Sequence, residues 1–120
     1  MCFTLFDMFG QSKHTFTSLD VNEFEKVVAD TSYVVLDVRT AAEYSEGHIS
    51  GTDFNIDVLD DGFEREVLKK IPKGKSVALY CRSGNRSKKA AGILADNGYT
   101  VLELSTGFKG WLAAGLSSEK

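Results

Sequence analysis

The segment "CRSGNRS", residues 81–87, combines residue types that could perform nucleophilic chemistry. Cys81 ends an apolar run, Gly84 stands in the turn that follows, and Arg82 and Arg86 add positive charge. A turn from a strand into a helix can direct backbone N–H groups into one concavity, and the helix adds its positive N-terminal end. We therefore identify Cys81 as the candidate catalytic nucleophile. The loop that would bind its substrate consists of Arg82, Ser83, Gly84, Asn85, Arg86 and Ser87.

The alternative for Cys81 is a purely structural role, because a cysteine after an apolar strand is usually a small buried hydrophobic residue. An ordinary thiol with a pKa near 8.5 is only about 3% thiolate at pH 7. Lowering that pKa by ~2 units, as helix starts and basic neighbours can do, makes about three quarters of it thiolate. The glycine, the two arginines and the helix start favour the nucleophile over the structural cysteine.

The sequence predicts that strands and helices alternate along the chain. Asp20 and Glu23 form a capping box that predicts a helix over 20–29, and the apolar runs "YVVLDV" (33–38) and "SVALY" (76–80) are typical of strands buried on both faces. Further strands are predicted at 52–56 and 101–104, and further helices at 40–46, 63–71, 87–97 and in "FKGWLAAG" (108–115). This alternation predicts a parallel sheet covered on both faces, with the reactive site beyond the carboxyl ends of the strands, where Cys81 falls.

Composition narrows the class of protein. The chain has 120 residues, enough for one domain, and its net charge of −3 argues against a general nucleic-acid binder. Two cysteines, Cys2 and Cys81, cannot build a disulfide framework, so we expect a reducing, cytoplasmic location. No apolar run approaches the ~20 residues of a membrane span, and no integral membrane segment is expected. His14 and His48 have no ligand-spaced partners, so no metal site is predicted.

The first residues, "MCFTLFDMF", are unusually apolar for a terminus. They lack the basic start and the small-residue cleavage site of a signal peptide. Two interpretations stay open, a tail that packs on the body of the domain and a segment that anchors it or contacts a partner.

Three segments resemble signatures of the rhodanese-like domains, a family of sulfurtransferases. "CRSGNRS" resembles the active-site loop, "VVLDVRTAAEYSEGHISG" (34–51) the N-terminal signature, and "LSTGFKGWLAAG" (104–115) the C-terminal signature. The match covers roughly residues 15–116, which leaves an N-terminal tail at 1–14 and a C-terminal tail at 117–120. The resemblance implies a three-layer α/β fold, with a central parallel five-stranded sheet and helices on both faces. Family members often have alanine where this chain has Thr52, and a second glycine where it has Thr106.

The resemblance also implies an activity. Cys81 would carry a sulfane sulfur as a persulfide, taken from thiosulfate or another persulfide donor and passed to a thiophilic acceptor such as cyanide or a thiol. No cofactor is implied, and whether the domain acts alone or delivers sulfur to a protein acceptor stays open.

Four residues of the N-terminal signature are interpreted as structural support, namely Asp37, Arg39, Glu43 and His48. Arg39 and Glu43 are four residues apart, a spacing suited to an ion pair near a helix start. Asp37, at a strand end, is expected to accept backbone N–H bonds and so fix the neighbouring loop.

Two other functions compete with sulfur transfer. Related phosphatases of this fold have a Cys-x5-Arg loop, whereas Cys81 and Arg86 form Cys-x4-Arg, a smaller cradle suited to one sulfur atom more than to a phosphate. A non-catalytic binding or regulatory module is the other alternative, but such modules often lack the cysteine.

Overall fold

The computed structural model describes residues 15–120. The predicted tail at 1–14, with Cys2 and His14, lies outside the described residues. The elements in chain order are β1 (Thr17–Leu19), α1 (Val21–Val28), β2 (Tyr33–Asp37), α2 (Ala41–Glu46), β3 (His48–Ile49), β4 (Phe54–Asn55), α3 (Phe63–Lys70), β5 (Ser76–Tyr80), α4 (Asn85–Asp96), β6 (Thr100–Leu104), α5 (Gly107–Ala113) and β7 (Ser118–Glu119).

Five of the strands form one parallel sheet in the order β1-β6-β5-β2-β4. β5 is therefore the central strand, and Cys81 follows directly from its carboxyl end. The predicted α/β fold with a central five-stranded parallel sheet is confirmed. The central position matters for the site, because the strands on either side hold β5 and so fix where Cys81 begins its loop.

Alternating side chains of the strands build two apolar cores, one on each face of the sheet. Leu36, Val77 and Leu79 point to the face covered by α3 and α4, where they pack in one cluster with Val67 and Leu94. The opposite face holds a second cluster, to which α1 and α5 contribute, and its buried members are Phe24, Val35, Ile49, Ala78, Tyr80, Leu104, Phe108 and Trp111. Burial of strand residues on both faces explains why these strands read as continuous apolar runs.

Two capping boxes start the helices near the N-terminal signature. The Asp20 side chain accepts from the Glu23 N–H while Glu23 reaches back to the Asp20 N–H, as the sequence predicted. Thr40 and Glu43 form the same arrangement at the start of α2. Each box satisfies N–H groups that the first turn of a helix leaves without partners.

The structure adds strands that local sequence patterns did not predict. β1 is only three residues long and pairs with β6, and it supplies the fifth strand of the sheet. Residues 117–120 were expected to be a tail, but Ser118 and Glu119 form β7, which pairs antiparallel with β3. The backbone carbonyl of Ser117 also accepts the Trp111 indole N–H at 2.9 Å, which joins the end of the chain to the second core.

Candidate active site

Cys81 lies buried at the start of the loop between β5 and α4, with 1% of its surface exposed. The backbone N–H of Gly84 donates to its sulfur at 3.1 Å. Burial acts to raise the pKa of the Cys81 thiol, hydrogen bonds from the backbone N–H groups of Ser87, Gly84 and Ser83 act to lower it, and the pKa lies below its ordinary value. Of the six predicted loop residues, the structure therefore brings Ser83, Gly84 and Ser87 onto the sulfur.

Gly84 makes the tight entry into α4 possible. Its φ is +109°, a left-handed conformation that residues with a Cβ rarely adopt. A Cβ at this position would also lie 2.3 Å from the Ser105 carbonyl oxygen. The helix consequently begins at Asn85, two residues earlier than the sequence predicted, and the N–H groups of Gly84 at its cap and of Ser87 in its first turn reach the sulfur.

The first turn of α5 holds the beginning of the loop in place. The N–H of Phe108 donates to the Cys81 carbonyl at 2.8 Å, and the N–H of Lys109 donates to the Arg82 carbonyl at 3.0 Å. Gly107, with a φ of +67°, lets the two backbones approach, because a Cβ there would lie 2.3 Å from the Arg82 carbonyl oxygen. The N–H groups at the start of α5 thus position the nucleophile through its own backbone.

The expected ion pair between Arg39 and Glu43 is wrong. Arg86 forms the bidentate pair with Glu43, with nitrogen-to-oxygen distances of 2.8 and 2.9 Å. Arg39 instead pairs with Asp37, with its Nη2 2.6 Å from Oδ2. Helical spacing describes only neighbours within one helix, whereas the fold brings Arg86 to Glu43 from the other side of the site.

Arg39 and Asp37 form a buried structural pair below the site, as their predicted supporting role requires. Asp37 also accepts the Arg39 backbone N–H at 2.9 Å, a bond of the kind expected for a residue that fixes the adjoining loop. Arg39 Nη2 donates to the Gly47 carbonyl at 2.7 Å, and the guanidinium carbon lies 4.6 Å from the centre of the Phe108 ring. Arg39 therefore connects β2, the end of α2 and α5.

His48 is buried and supports β3. Its ring stacks on Tyr44 with 3.8 Å between ring centres, and its Nδ1 lies 2.9 Å from the Tyr44 carbonyl oxygen. Its Nε2 lies 3.7 Å from a carboxylate oxygen of Glu119 in β7. These contacts fit the structural role predicted for His48.

A cavity of about 250 Å³ adjoins the loop. It is lined by Arg39, Glu43, Glu46, Gly47, Arg82, Phe108, Lys109 and Leu112. Arg82 and Lys109 bring cationic side chains to it, and Leu112 brings an apolar one that is 48% exposed. Such a cavity can admit a small molecule next to Arg82, the residue that follows Cys81.

Sequence reasoning missed a buried carboxylate behind the loop. Glu103 of β6 is completely buried and accepts hydroxyl hydrogens from Ser18 and Ser87, both at 2.5 Å. The available signal was a glutamate inside the apolar strand "VLEL", since a charge at a buried strand position requires partners. Ser18 gave no comparable signal.

Two kinds of feature are missing from residues 15–120. No group of three or more histidine, cysteine, aspartate or glutamate side chains in this part of the chain could hold a metal ion. None of the helices described is long and apolar enough to cross a membrane.

Comparison with known proteins agrees with this geometry. The sequence model of the rhodanese-like domain matches residues 20–114. A sulfurtransferase of Allochromatium vinosum is 36% identical over 106 residues, which cover 82% of this chain and 90% of that protein. A tRNA uridine(34) hydroxylase of Pelagibacter ubique is 30% identical over 95 residues, 78% of this chain but only 31% of that protein.

The solved structures include a similar single domain. The crystal structure of a rhodanese-related protein from Thermoplasma volcanium matches with a TM-score of 0.73 and 27% identity, over 87% of this chain and 98% of that one. The fold, the cysteine loop and the family match agree, and the chain belongs to the rhodanese-like family.

Proposed function

We propose that this protein is a sulfurtransferase in which Cys81 carries the transferred sulfur as a persulfide. The observation that carries the proposal is the environment of the Cys81 sulfur, which accepts hydrogen bonds from the loop at the start of α4 and has a lowered thiol pKa. The same donors that stabilise a thiolate would stabilise negative charge on a persulfide. The 36% identity to a sulfurtransferase supports the same function.

The reaction proceeds in two displacements. The Cys81 thiolate attacks the outer sulfur of thiosulfate, a new S–S bond forms, and the electron pair of the broken bond leaves with sulfite. A thiolate or cyanide then attacks the outer sulfur of the persulfide, and Cys81 leaves as the thiolate. Electrons balance in both steps without a cofactor.

Thiosulfate is the proposed donor because of the charges beside the loop. It is a compact dianion, and in the cavity Glu43 is paired with Arg86 and Arg39 with Asp37, which leaves the cations Arg82 and Lys109 against the single carboxylate of Glu46. The sequence placed both Arg82 and Arg86 in the loop that binds the substrate, but both terminal nitrogens of Arg86 already donate to Glu43. We therefore assign donor binding to Arg82, and the holding of the loop to Arg86.

The pairing of Arg86 also bears on the phosphatase alternative. A cysteine-dependent phosphatase needs the loop arginine to bind the phosphate, whereas Arg86 is directed to Glu43. The non-catalytic alternative is less consistent with the lowered thiol pKa of Cys81, which a binding module does not need.

Intact mass spectrometry after thiosulfate treatment tests the proposal. We expect a gain of one sulfur atom that a reductant removes, and its loss in Cys81→Ser. Cys2→Ser is the matched control and should keep the gain. Unmodified mass in the parent protein, or an equal gain in Cys81→Ser, would overturn the proposal.

A further inference from the structure

Glu103 is a buried carboxylate that is separated from the Cys81 sulfur by the side chain of Ser87. Its Oε1 accepts the Ser18 hydroxyl of β1, and its Oε2 accepts the Ser87 hydroxyl of α4, both at 2.5 Å. The ammonium of Lys88 lies 3.3 Å from the same Oε2, although half of the Lys88 side chain is exposed. A fully buried carboxylate needs such donors, because water cannot solvate its charge.

Ser87 stands between this carboxylate and the sulfur. It is completely buried in the first turn of α4, and both its backbone and its side chain contact Cys81. A hydroxyl has one hydrogen and two lone pairs. The 2.5 Å distance to Glu103 is that of a short, charge-assisted hydrogen bond, which takes the Ser87 hydrogen. The lone pairs of the Ser87 oxygen then face the sulfur. They can accept a hydrogen bond from the S–H of a thiol, but they cannot stabilise the negative charge of a thiolate.

We propose that Glu103 is a positioning residue of the sulfur-carrying site, which holds the Ser87 hydroxyl hydrogen away from the Cys81 thiolate. The inference rests on the proposed function, in which Cys81 is the nucleophile. The thiolate is then stabilised by the backbone N–H groups of the loop and not by the hydroxyl. Fewer hydrogen bonds leave a less stabilised and more nucleophilic sulfur, since the nucleophilicity of a thiolate falls as the pKa of its thiol falls.

The charged groups around this arrangement come mainly from α4. Lys88 faces the Glu103 carboxylate, and the positive charge of Arg86 acts on Cys81 while Glu43 holds its guanidinium. β1 contributes the Ser18 hydroxyl. These groups stay in place in a Glu103→Gln variant, which removes both the negative charge of the carboxylate and its demand for the Ser87 hydrogen, and the Ser87→Ala background separates the two effects.

The test is the pH dependence of the alkylation of Cys81 by iodoacetamide, followed by mass spectrometry of the peptide that contains it. In Glu103→Gln the amide can donate to the Ser87 oxygen, which frees the hydroxyl hydrogen for the thiolate. We expect the midpoint of the profile to fall by about one pH unit, the worth of one hydrogen bond to a charged group. The limiting rate at high pH should fall about threefold, because each thiolate is less nucleophilic.

Three further variants separate this role from a structural one. Ser87→Ala alone should move the midpoint by less than about a third of a pH unit, because the missing hydrogen was not donated to Cys81. Glu103→Gln should have no such effect when Ser87 is already alanine. Ser18→Ala, which removes the other hydroxyl from the same carboxylate, is the matched control and should leave the midpoint unchanged.

Each variant can contradict the proposal. An unchanged midpoint in Glu103→Gln would overturn it. The proposal would also be overturned if Glu103→Gln lowered the midpoint equally in the parent and in the Ser87→Ala background, because the charge of Glu103 would then act on Cys81 through space. A rise of a full pH unit in Ser87→Ala would show that the hydroxyl donates to Cys81, and this variant decides the question even if Glu103→Gln does not fold. Alkylation needs no sulfur donor, so a failure here is distinguishable from a failure of persulfide formation.

Discussion

Arg86 and Glu43 join the cysteine loop to the start of α2 through two hydrogen bonds of 2.8 and 2.9 Å. The pair is 43 residues apart in sequence, and 24% of each side chain is exposed. Glu43 also accepts the backbone N–H of Thr40 in the capping box of α2. One carboxylate therefore fixes both the loop that holds Cys81 and the helix that follows Arg39.

The Glu43 carboxylate should make stability depend on pH in the acid range. The hydrogen bond from Arg86 holds the pKa of Glu43 at about 2, against an ordinary 4.5. Since the folded-state pKa is lowered, the pair contributes fully above pH 4.5 and its contribution is lost as the pH falls towards 2. Glu43→Gln should cost about 2 kcal/mol of the free energy of unfolding at pH 7, a figure reduced for partial exposure.

Urea unfolding of the parent and of Glu43→Gln between pH 7 and pH 3 checks this prediction. Glutamine can keep the capping box, so the difference reports the pair with Arg86. The control is Glu66→Gln, which removes an exposed pair with Lys70 and should cost less than about 0.5 kcal/mol. A cost for Glu43→Gln that does not shrink with falling pH would contradict the assignment.

Donor selection should depend on Arg82 more than on Arg86. Arg82→Ala should lower kcat/KM for thiosulfate roughly tenfold, the worth of one charge-assisted contact that is partly solvated, with less effect on the monoanion 3-mercaptopyruvate. Arg86→Ala should lower kcat/KM for both donors equally. Arg86 pairs with Glu43, so the loss of its side chain loosens the loop and does not remove a contact with the donor. Steady-state kinetics with both donors measures the difference, and equal losses in Arg82→Ala would show that Arg82 does not select the donor.

The sequence predicted the helices, strands and turns well where their formation depends on neighbouring residues in the chain. The capping box of Asp20 with Glu23, the buried strands and the turn at Gly84 depend on neighbours in the chain, and the structure has them. The pair of Arg86 with Glu43 depends on how the fold brings two distant segments together, and helical spacing favoured Arg39 instead. β1, three residues with the sequence "TSL", has no periodicity to detect and exists because β6 offers it a free edge.

The buried pair of Arg39 with Asp37 should not tolerate lysine. Arg39 uses its planar fork for Asp37 and the Gly47 carbonyl and packs over Phe108, which a single ammonium group cannot reproduce. We expect Arg39→Lys to cost about 2–4 kcal/mol of the free energy of unfolding, because part of a buried network loses its partners. Thermal and urea unfolding measure it, and a cost below 1 kcal/mol would show that the network is not important for stability.

Thr106 and Gly110 form a compensating pair at the start of α5. Family members often have a glycine where Thr106 stands, and here the threonine side chain occupies the space above Gly110. A Cβ at Gly110 would lie 2.1 Å from Thr106 Oγ1 and 2.5 Å from Thr106 Cβ. Gly110 therefore makes room for Thr106, within the helix whose first N–H groups hold the Cys81 loop.

A double-mutant cycle should reveal this compensation. Gly110→Ala alone should cost about 1–3 kcal/mol of the free energy of unfolding by overpacking, although alanine is the better helix former. In the Thr106→Gly background the same change should be neutral or stabilising, which gives a coupling of at least about 1 kcal/mol. Gly92→Ala is the matched control, because α4 leaves open space around that position and the change should stabilise by about 0.5–1 kcal/mol. Equal effects of Gly110→Ala in both backgrounds would mean that the two side chains do not compete for space, and that Thr106 is accommodated by a shift of α5 instead.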